Sequence, residues 1–423
     1  MIRIVIVDGF SSGKFVARRL YEEGCLLMHV ASSSALDSYY YNGFDYSFYE
    51  QMLINDNLAA TIVCVARFKP DFVIAGAETG VLLADRINEQ LQLPYRNAFE
   101  HSSARRNKFD MIERVTQAGL LAAQQTVASD WHSACAWITR HGKFPVVIKP
   151  LDSAGADGVH ICDDLQACEG AVGKLLGVRN RLNLDNHQVL VQEYLAGVEY
   201  VVNMVSLEGE QLVTEVVKYQ KQRLEEGGIV YDIDELVSPH GPAYEALVAY
   251  TREVVRSLGI RNGASHAEVM LTPEGPRLVE IAARTDGILR PHVSRQTTGL
   301  GQIDALVMSI IQPDMFRHCM QGFDYVLLQH GYNVCLINRS QGVFDKGPFL
   351  TELLKLESFF EAVFYVDDGQ TIGPTQDVFS QPGTVYLVHA DPEVLALDYY
   401  QIRVLEAQGV YLGKTGTQHV TKP

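Results

Sequence analysis

Lys149 closes the apolar run Pro145-Val-Val-Ile-Lys149-Pro150, where a cation is costly unless it meets an anion such as a phosphate oxygen. Taken alone, a strand-end lysine in solvent is the plainer explanation. Directly after it comes Ser153-Ala-Gly155-Ala-Asp157-Gly158, small residues whose backbone N–H groups can approach phosphates closely. Glycine-rich hairpin loops are common, and it is the position after Lys149 that gives this one weight.

Further along, an apolar strand ends in Gln192-Glu193-Tyr194-Leu195, turns at Gly197 and restarts at Glu199. Adenine requires backbone hydrogen bonds at its edge and apolar faces, and a ribose requires a carboxylate acceptor; this stretch offers both. An ordinary hairpin with an exposed acid would look the same in isolation. The last segment is a hairpin, His266-Ala-Glu268 and Val279-Glu280-Ile-Ala-Ala-Arg284 about the turn Thr272-Pro-Glu-Gly275. There Glu268 and Glu280 can oppose each other on one face, repelling by roughly several kcal/mol at low dielectric unless a cation lies between them. A salt-bridged surface pair is the alternative, but the neighbours Val269, Met270, Leu278, Val279 and Ile281 point to a buried sheet. Magnesium, or manganese in its place, suits such oxygen ligands and would bridge them to phosphates.

The elements that must position these residues follow from periodicity. Ile4 to Val7, Leu26 to Val30 and Phe72 to Ala75 read as buried strands, and Lys14 to Glu23, Asn57 to Phe68 and Gly80 to Leu91 as helices. That alternation predicts a parallel sheet, whose ligands collect at the strand carboxyl ends, in the loops Asp8 to Gly13 and Gly76 to Gly80. After Pro94 come a charged helix near Arg105 to Gln117 and an amphipathic one from Ser129 to Arg140. Strands are expected at Val159 to Cys162, Val189 to Tyr194, Tyr200 to Leu207 and Gln211 to Lys218, then a helix from Tyr244 to Leu258 and the hairpin strands Ala264 to Leu271 and Arg277 to Ala283. Beyond residue 312 the elements are short and mixed, with strands near Tyr325 to Gln329, Phe359 to Val366 and Thr384 to His389 and a helix near Pro392 to Gln408. There are no repeats.

At 423 residues the chain calls for two to four domains. Its 47% hydrophobic and 20% charged shares are those of a globular protein, and no segment approaches the roughly 20 apolar residues of a membrane span. The N-terminal run Ile4-Val-Ile-Val7 ends at Asp8 and reads as a first strand, not an export signal. A formal charge of −16 with no long basic block argues against nucleic acid as a partner. Seven scattered cysteines, never spaced C-x-x-C, argue against a disulfide framework or zinc site and favour a reducing, cytoplasmic location.

In this order the segments resemble the ATP-grasp superfamily: Lys108 in Arg105-Arg-Asn-Lys108, Lys149, the Gly-rich flap with Ser153, Gly155 and Gly158, the hinge Gln192, Glu193, Tyr194 and Leu195, the ribose acid Glu199, and the metal acids Glu268 and Glu280. The resemblance covers roughly residues 100 to 312. It implies a mixed α/β and α+β protein: a Rossmann-like domain (1–100), two ATP-grasp subdomains clasping ATP (101–190 and 191–312) and a small C-terminal α+β domain (313–423). Within the superfamily, His266-Ala-Glu268 with Glu280-Ile-Ala-Ala-Arg284-Thr-Asp-Gly287 is most similar to the bacterial L-amino acid ligases that make dipeptides. One departure is Ala282, where many members carry an asparagine for a second metal ion.

The resemblance implies ligation of a carboxylate to an amine through an acyl phosphate, because a carboxylate is itself a poor acyl donor. The partners implied are two small molecules, amino acids by preference, and a homodimer is the expected assembly. Arg284 is placed to stabilise the tetrahedral oxyanion. The second substrate is expected between Glu78, Thr79, Gly80 and Val81 on one side and Asp286, Gly287 and Ile288 on the other. Either His266 or Glu235 can take the amine proton. Gly9-Phe-Ser-Ser-Gly13-Lys14 has one residue too few for a P-loop and lacks the following Ser or Thr. An ATP-grasp carboxylase, a ligase of another carboxylate, and a nucleotide sensor that has lost turnover are the remaining alternatives, the last disfavoured by the paired metal acids and Arg284.

Overall fold

The computed structural model describes every residue except 37–40, 154–157, 181–183, 224–228, 289, 323 and 414–423. It divides into two compact units, Met1–Val217 with Val237–Val326, and Lys218–Leu236 with Leu327–Pro423.

The first unit opens with β1 (Arg3–Val7), α1 (Gly13–Glu22), β2 (Leu26–Ala31), β3 (Gln51–Ile54), α2 (Leu58–Phe68), β4 (Phe72–Ala75) and α3 (Val81–Gln90). The strands form a parallel sheet in the order β3-β2-β1-β4. β3 is an addition to the expected set: its apolar run, Met52-Leu-Ile54, is only three residues long and its side chains are mostly exposed. At the carboxyl ends of β1 and β4 the backbones nearly touch, since a Cβ on Gly13 would stand 2.5 Å from Gly76 O and one on Gly76 2.6 Å from Asp8 O. Only glycine fits both loops.

Then follow α4 (Lys108–Gln117), β5 (Gln125–Ala128), α5 (Trp131–His141), β6 (Val146–Pro150), β7 (His160–Cys162), α6 (Leu165–Leu175), β8 (Val189–Glu193), β9 (Val198–Leu207) and β10 (Glu210–Arg223). Helix starts are set by short polar caps: Asn107 accepts from Phe109 and Asp110 N–H groups, Asp130 from Ser133 and Asp164 from Ala167. The antiparallel sheet β5-β8-β6-β7 buries Val146, Ile148, Val189 and Val191 against α5 and α6. β11 (Ile229–Leu236) belongs to the second unit. The chain returns to the first unit as α7 (Pro242–Ser257), β12 (Gly263–Thr272), β13 (Gly275–Ala282), α8 (Pro291–Thr298), α9 (Gln302–Ile311) and α10 (Pro313–Met320). There β13, β12, β9 and β10 lie side by side, and Val205 and Leu207 share a core with Ile4, Ile6, Ile303 and Phe316.

The second unit pairs β11 with β14 (His330–Cys335) and adds β15 (Gly342–Phe344), α11 (Lys346–Leu353), β16 (Phe359–Phe364), β17 (Thr371–Ile372), β18 (Gly383–His389), α12 (Pro392–Ala407) and β19 (Leu412–Gly413). Its core gathers Val334, Phe344, Phe349, Leu387, Leu395 and Ile402. The strand expected at Tyr325 to Gln329 does not form, and the first strand here begins at His330. The buried Tyr325 ring instead sends its hydroxyl to Val237 O, while Val326 and Leu328 stay exposed.

Candidate active site

Register places the acids. In the antiparallel ladders Glu268 stands opposite Glu280 and Val201, Met270 opposite Glu199, and His266 opposite Asn203 and Ala282. Side chains alternate along a strand, so Glu199, Asn203, His266, Glu268 and Glu280 share one sheet face. On β6, Lys149 and Val147 pair with Leu190 and Gln192 of β8, which puts Lys149 and Gln192 on a common face.

Lys149 is 4% exposed and has no carboxylate within 4 Å among the described residues. Burial and the neighbouring Lys108 pull its pKa down to about 8, against the raising influence of Glu280, Glu268 and Glu199. A buried ammonium facing three acids at longer range fits a phosphate with its cation between them. Lys108 already bridges two of the expected parts, bonding Glu280 Oε2 at 2.8 Å and Ser153 O at 3.0 Å. Gly155 lies outside the described residues, whereas Gly158 adopts φ +70°, with Leu175 and Pro150 filling the space a Cβ would need.

Among the described residues no cluster of three or more His, Cys, Asp or Glu is arranged to hold a metal alone. Magnesium asks for less: one or two carboxylates, with phosphates and water completing the octahedron. Glu268 and Glu280 meet that description, and the repulsion between two carboxylates opposed on neighbouring strands is what a shared cation would relieve.

The hinge residues divide their work. Gln192 donates to Gln125 Oε1, and Glu193 accepts from Gln124 N–H and from Arg277, which commits these side chains to the protein. An adenine would meet the strand's backbone together with buried Leu195 and half-exposed Tyr194.

Around Arg284 the loops of the parallel sheet come in. Arg284 Nε donates to Glu78 Oε2 at 2.9 Å and Nη1 to Thr285 O at 3.0 Å, while Nη2 makes no hydrogen bond among the described residues. Glu78 also binds Arg106, which reaches on to Asp152 at the base of the flap. Burial would push the Glu78 carboxyl up, but Arg106 and Arg284 together hold it below the usual range. Thr79 donates to buried Asp8, Gly80 lets the chain pass within contact of Val7 O, and Val81 lines a cavity of about 40 Å³ beside Arg284. Ser12 meets Thr285, Ser11 donates to Gly287 O, and Asp286 caps the Ile288 N–H. The two loops expected to flank a substrate are therefore adjacent. Glu235, the other candidate base, belongs to the second unit, 3.9 Å from Lys218.

Arg106, Asp152, Asn203 and Glu215 are additions that sequence reasoning missed. The last two carried a signal: a polar residue inside the apolar runs Val201-Val-Asn-Met-Val205 and Leu212-Val-Thr-Glu-Val-Val217 must have buried partners.

The chain matches an ATP-grasp domain model over residues 142–291. It is 32% identical over 413 residues to dapdiamide A synthase of Enterobacter agglomerans, covering 97% of both chains. The chain belongs to the ATP-grasp family of carboxylate-amine ligases, ATP-dependent enzymes that form carbon–nitrogen bonds. Its fold is that of an L-amino acid ligase from Bacillus licheniformis, with a TM-score of 0.74 at 17% identity, covering 96% of this chain and 97% of that one. It is also that of N5-carboxyaminoimidazole synthase from Aspergillus clavatus, solved with ADP and 5-aminoimidazole ribonucleotide, with a TM-score of 0.70 at 12% identity and coverage of 96% and 99%. No described helix is long and apolar enough to cross a membrane.

Proposed function

We propose that the protein joins two L-amino acids, or amino-acid-like substrates, into a dipeptide through an acyl phosphate, releasing ADP and phosphate. The observation that carries this reading is Arg284. It sits four residues beyond Glu280, is oriented by Glu78, and keeps Nη2 free of hydrogen bonds among the described residues. A sensor would need neither the oriented guanidinium nor the opposed acids.

ATP with its magnesium would supply the phosphoryl group that turns the carboxylate into an acyl donor. Lys149 and Lys108 would neutralise phosphate charge, and Glu199 would take the ribose hydroxyls. Glu268 and Glu280 would hold the cation. Arg284 Nη2 would then stabilise the oxyanion formed when the amine attacks, within the loops carrying Asp286 to Ile288 and Glu78 to Val81. The likeness to dapdiamide A synthase over nearly the whole chain supports an amide product.

The experiment is phosphate release across the proteinogenic amino acids, singly and in pairs, with mass spectrometry of the products. Turnover that requires a pair and yields a dipeptide mass is expected. Release that depends on bicarbonate, or none with any pair, contradicts the amino-acid reading. Arg284→Ala is expected to lower ligation at least roughly a hundredfold while ATP affinity stays within a few-fold, on the scale of lost oxyanion donors. Near wild-type ligation would remove Arg284 from its role.

A further inference from the structure

Two adjacent arginines leave the turn before α4 in different directions. Arg105 is fully buried and directs its donors to Asp85 of α3 and to the Ala98 and Leu258 carbonyls. Arg106, whose side chain is 7% exposed, divides its own between two acids: Nη1 donates to Glu78 Oε1 and Nη2 to Asp152 Oδ1. Glu78 in turn takes a different guanidinium on each oxygen, Arg106 on Oε1 and Arg284 Nε on Oε2 at 2.9 Å. The backbone that carries Glu78 is pinned, because Thr79 Oγ1 donates to Asp8 at 2.5 Å and a Cβ on Gly80 would stand 2.5 Å from Val7 O. Asp152, Arg106, Glu78 and Arg284 therefore form a chain of alternating charge, largely withdrawn from solvent. In such a chain a charge that loses one partner is driven onto the other.

That order of partners decides what Arg284 can do. Nε and Nη2 lie on one edge of a guanidinium, and a carboxylate with both oxygens available takes that edge as a fork. Arg295 is held this way in the same chain, with Nε at 2.8 Å and Nη2 at 2.6 Å from the two oxygens of Asp304. Arg284 is held differently. Its Nε is bonded to Glu78, while Nη2 on the same edge makes no hydrogen bond among the described residues. The oxygen that would complete the fork is Oε1, and Arg106 occupies it.

We propose that Arg106 is a positioning residue: by occupying Glu78 Oε1 it limits Glu78 to the Nε of Arg284 and keeps Nη2 open for the reacting carbonyl. The use made of Nη2 rests on the ligase reading; the competition for Oε1 does not. Glu78 alone would orient Arg284 and sequester it in the same act. With Arg106 beside it, the carboxylate orients without blocking.

The test compares nucleotide-free crystal structures of the full-length wild-type protein and of Arg106→Met. The wild type is expected to show Arg106 on Oε1 and Nη2 of Arg284 unpaired with Glu78, and the variant to show Nε and Nη2 both on Glu78. A fork already present in the wild type, or Nη2 still unpaired in the variant, overturns the proposal whatever the protein ligates. If Arg106→Met does not fold, the wild-type structure still decides. In ligation assays with the amino-acid pair found by the phosphate screen, Arg106→Met is expected to lower kcat roughly a hundredfold, the scale of a lost oxyanion donor, with the ATP KM within about threefold. Arg106→Met combined with Arg284→Ala is expected to be no slower than Arg284→Ala alone, since both remove the same donor. A further loss of about tenfold in the double variant would mean that Arg106 acts by another route, and contradicts the proposal. An open Nη2 in the wild type and a fork in the variant, in a protein that ligates no pair, would uphold the competition for Oε1 and remove the ligase reading alone.

Discussion

Burying Lys149 sets stability against binding at a single residue. Its folded pKa is about 8 against 10.5 for an unperturbed lysine. The unfolded chain therefore binds more protons between those values, and stability rises with pH across that window. Below about pH 8 both states carry the charge and the penalty stands in full, about 3 kcal/mol. Lys149→Met is thus expected to raise the melting temperature of the nucleotide-free protein at pH 7 while abolishing ATP binding; a lower melting temperature would mean that the ammonium already has a stabilising partner. Above pH 8 the free protein loses this cation, so the ATP KM should rise from pH 7 to 9, and Lys149→Arg should flatten that rise. Lys149, Glu268 and Glu280 were legible in the sequence because charged residues in apolar strands must have a reason. Arg106 was not, because nothing in Arg105-Arg-Asn-Lys108 says which cation is turned toward Glu78 and Asp152. Asn203 and Glu215 have their partners on other strands, so the need for partners was readable and their identity was not.

At the scale of elements, the β12–β13 hairpin is a device for register. Side chains alternate with period two, so one residue added to the Thr272–Gly275 turn would carry Glu280 to the opposite face if β13 slips by one. A glycine inserted after Glu274 is expected to abolish magnesium-dependent nucleotide binding with little change in circular dichroism; retained binding would show that Glu280 does not hold the cation. The strands bearing these residues were readable from their apolar runs, as were the alternating strands and helices of the first hundred residues. β3 was not, since its apolar run is only three residues long, and the apolar run at Tyr325 to Leu328 misled because Val326 and Leu328 stay exposed. The interlocked glycines give a further prediction. Gly76→Ala would force a Cβ to 2.6 Å from Asp8 O, and is expected to cost about 1–3 kcal/mol in denaturant unfolding, as overpacking does. An unchanged unfolding midpoint would mean the loop yields.

Over the whole molecule, all the candidate nucleotide, metal and Arg284 residues belong to the first of the two compact units, although they come from segments as far apart as Lys108 and Arg284. A chain of −16 formal charge still gathers Lys108, Lys149, Arg106 and Arg284 at one site, interleaved with Glu78, Asp152, Glu199, Glu268 and Glu280, so that cations suited to a polyanion stand beside acids suited to a metal ion. The family and the reaction class follow from that gathering together with the likeness to dapdiamide A synthase. The most direct measurement of the central claim is isotope transfer: the acid substrate found in the paired screen is supplied with ¹⁸O in its carboxylate, and the released phosphate is weighed. Ligation through an acyl phosphate predicts one ¹⁸O atom in each phosphate, and phosphate released without label during amide formation would contradict it.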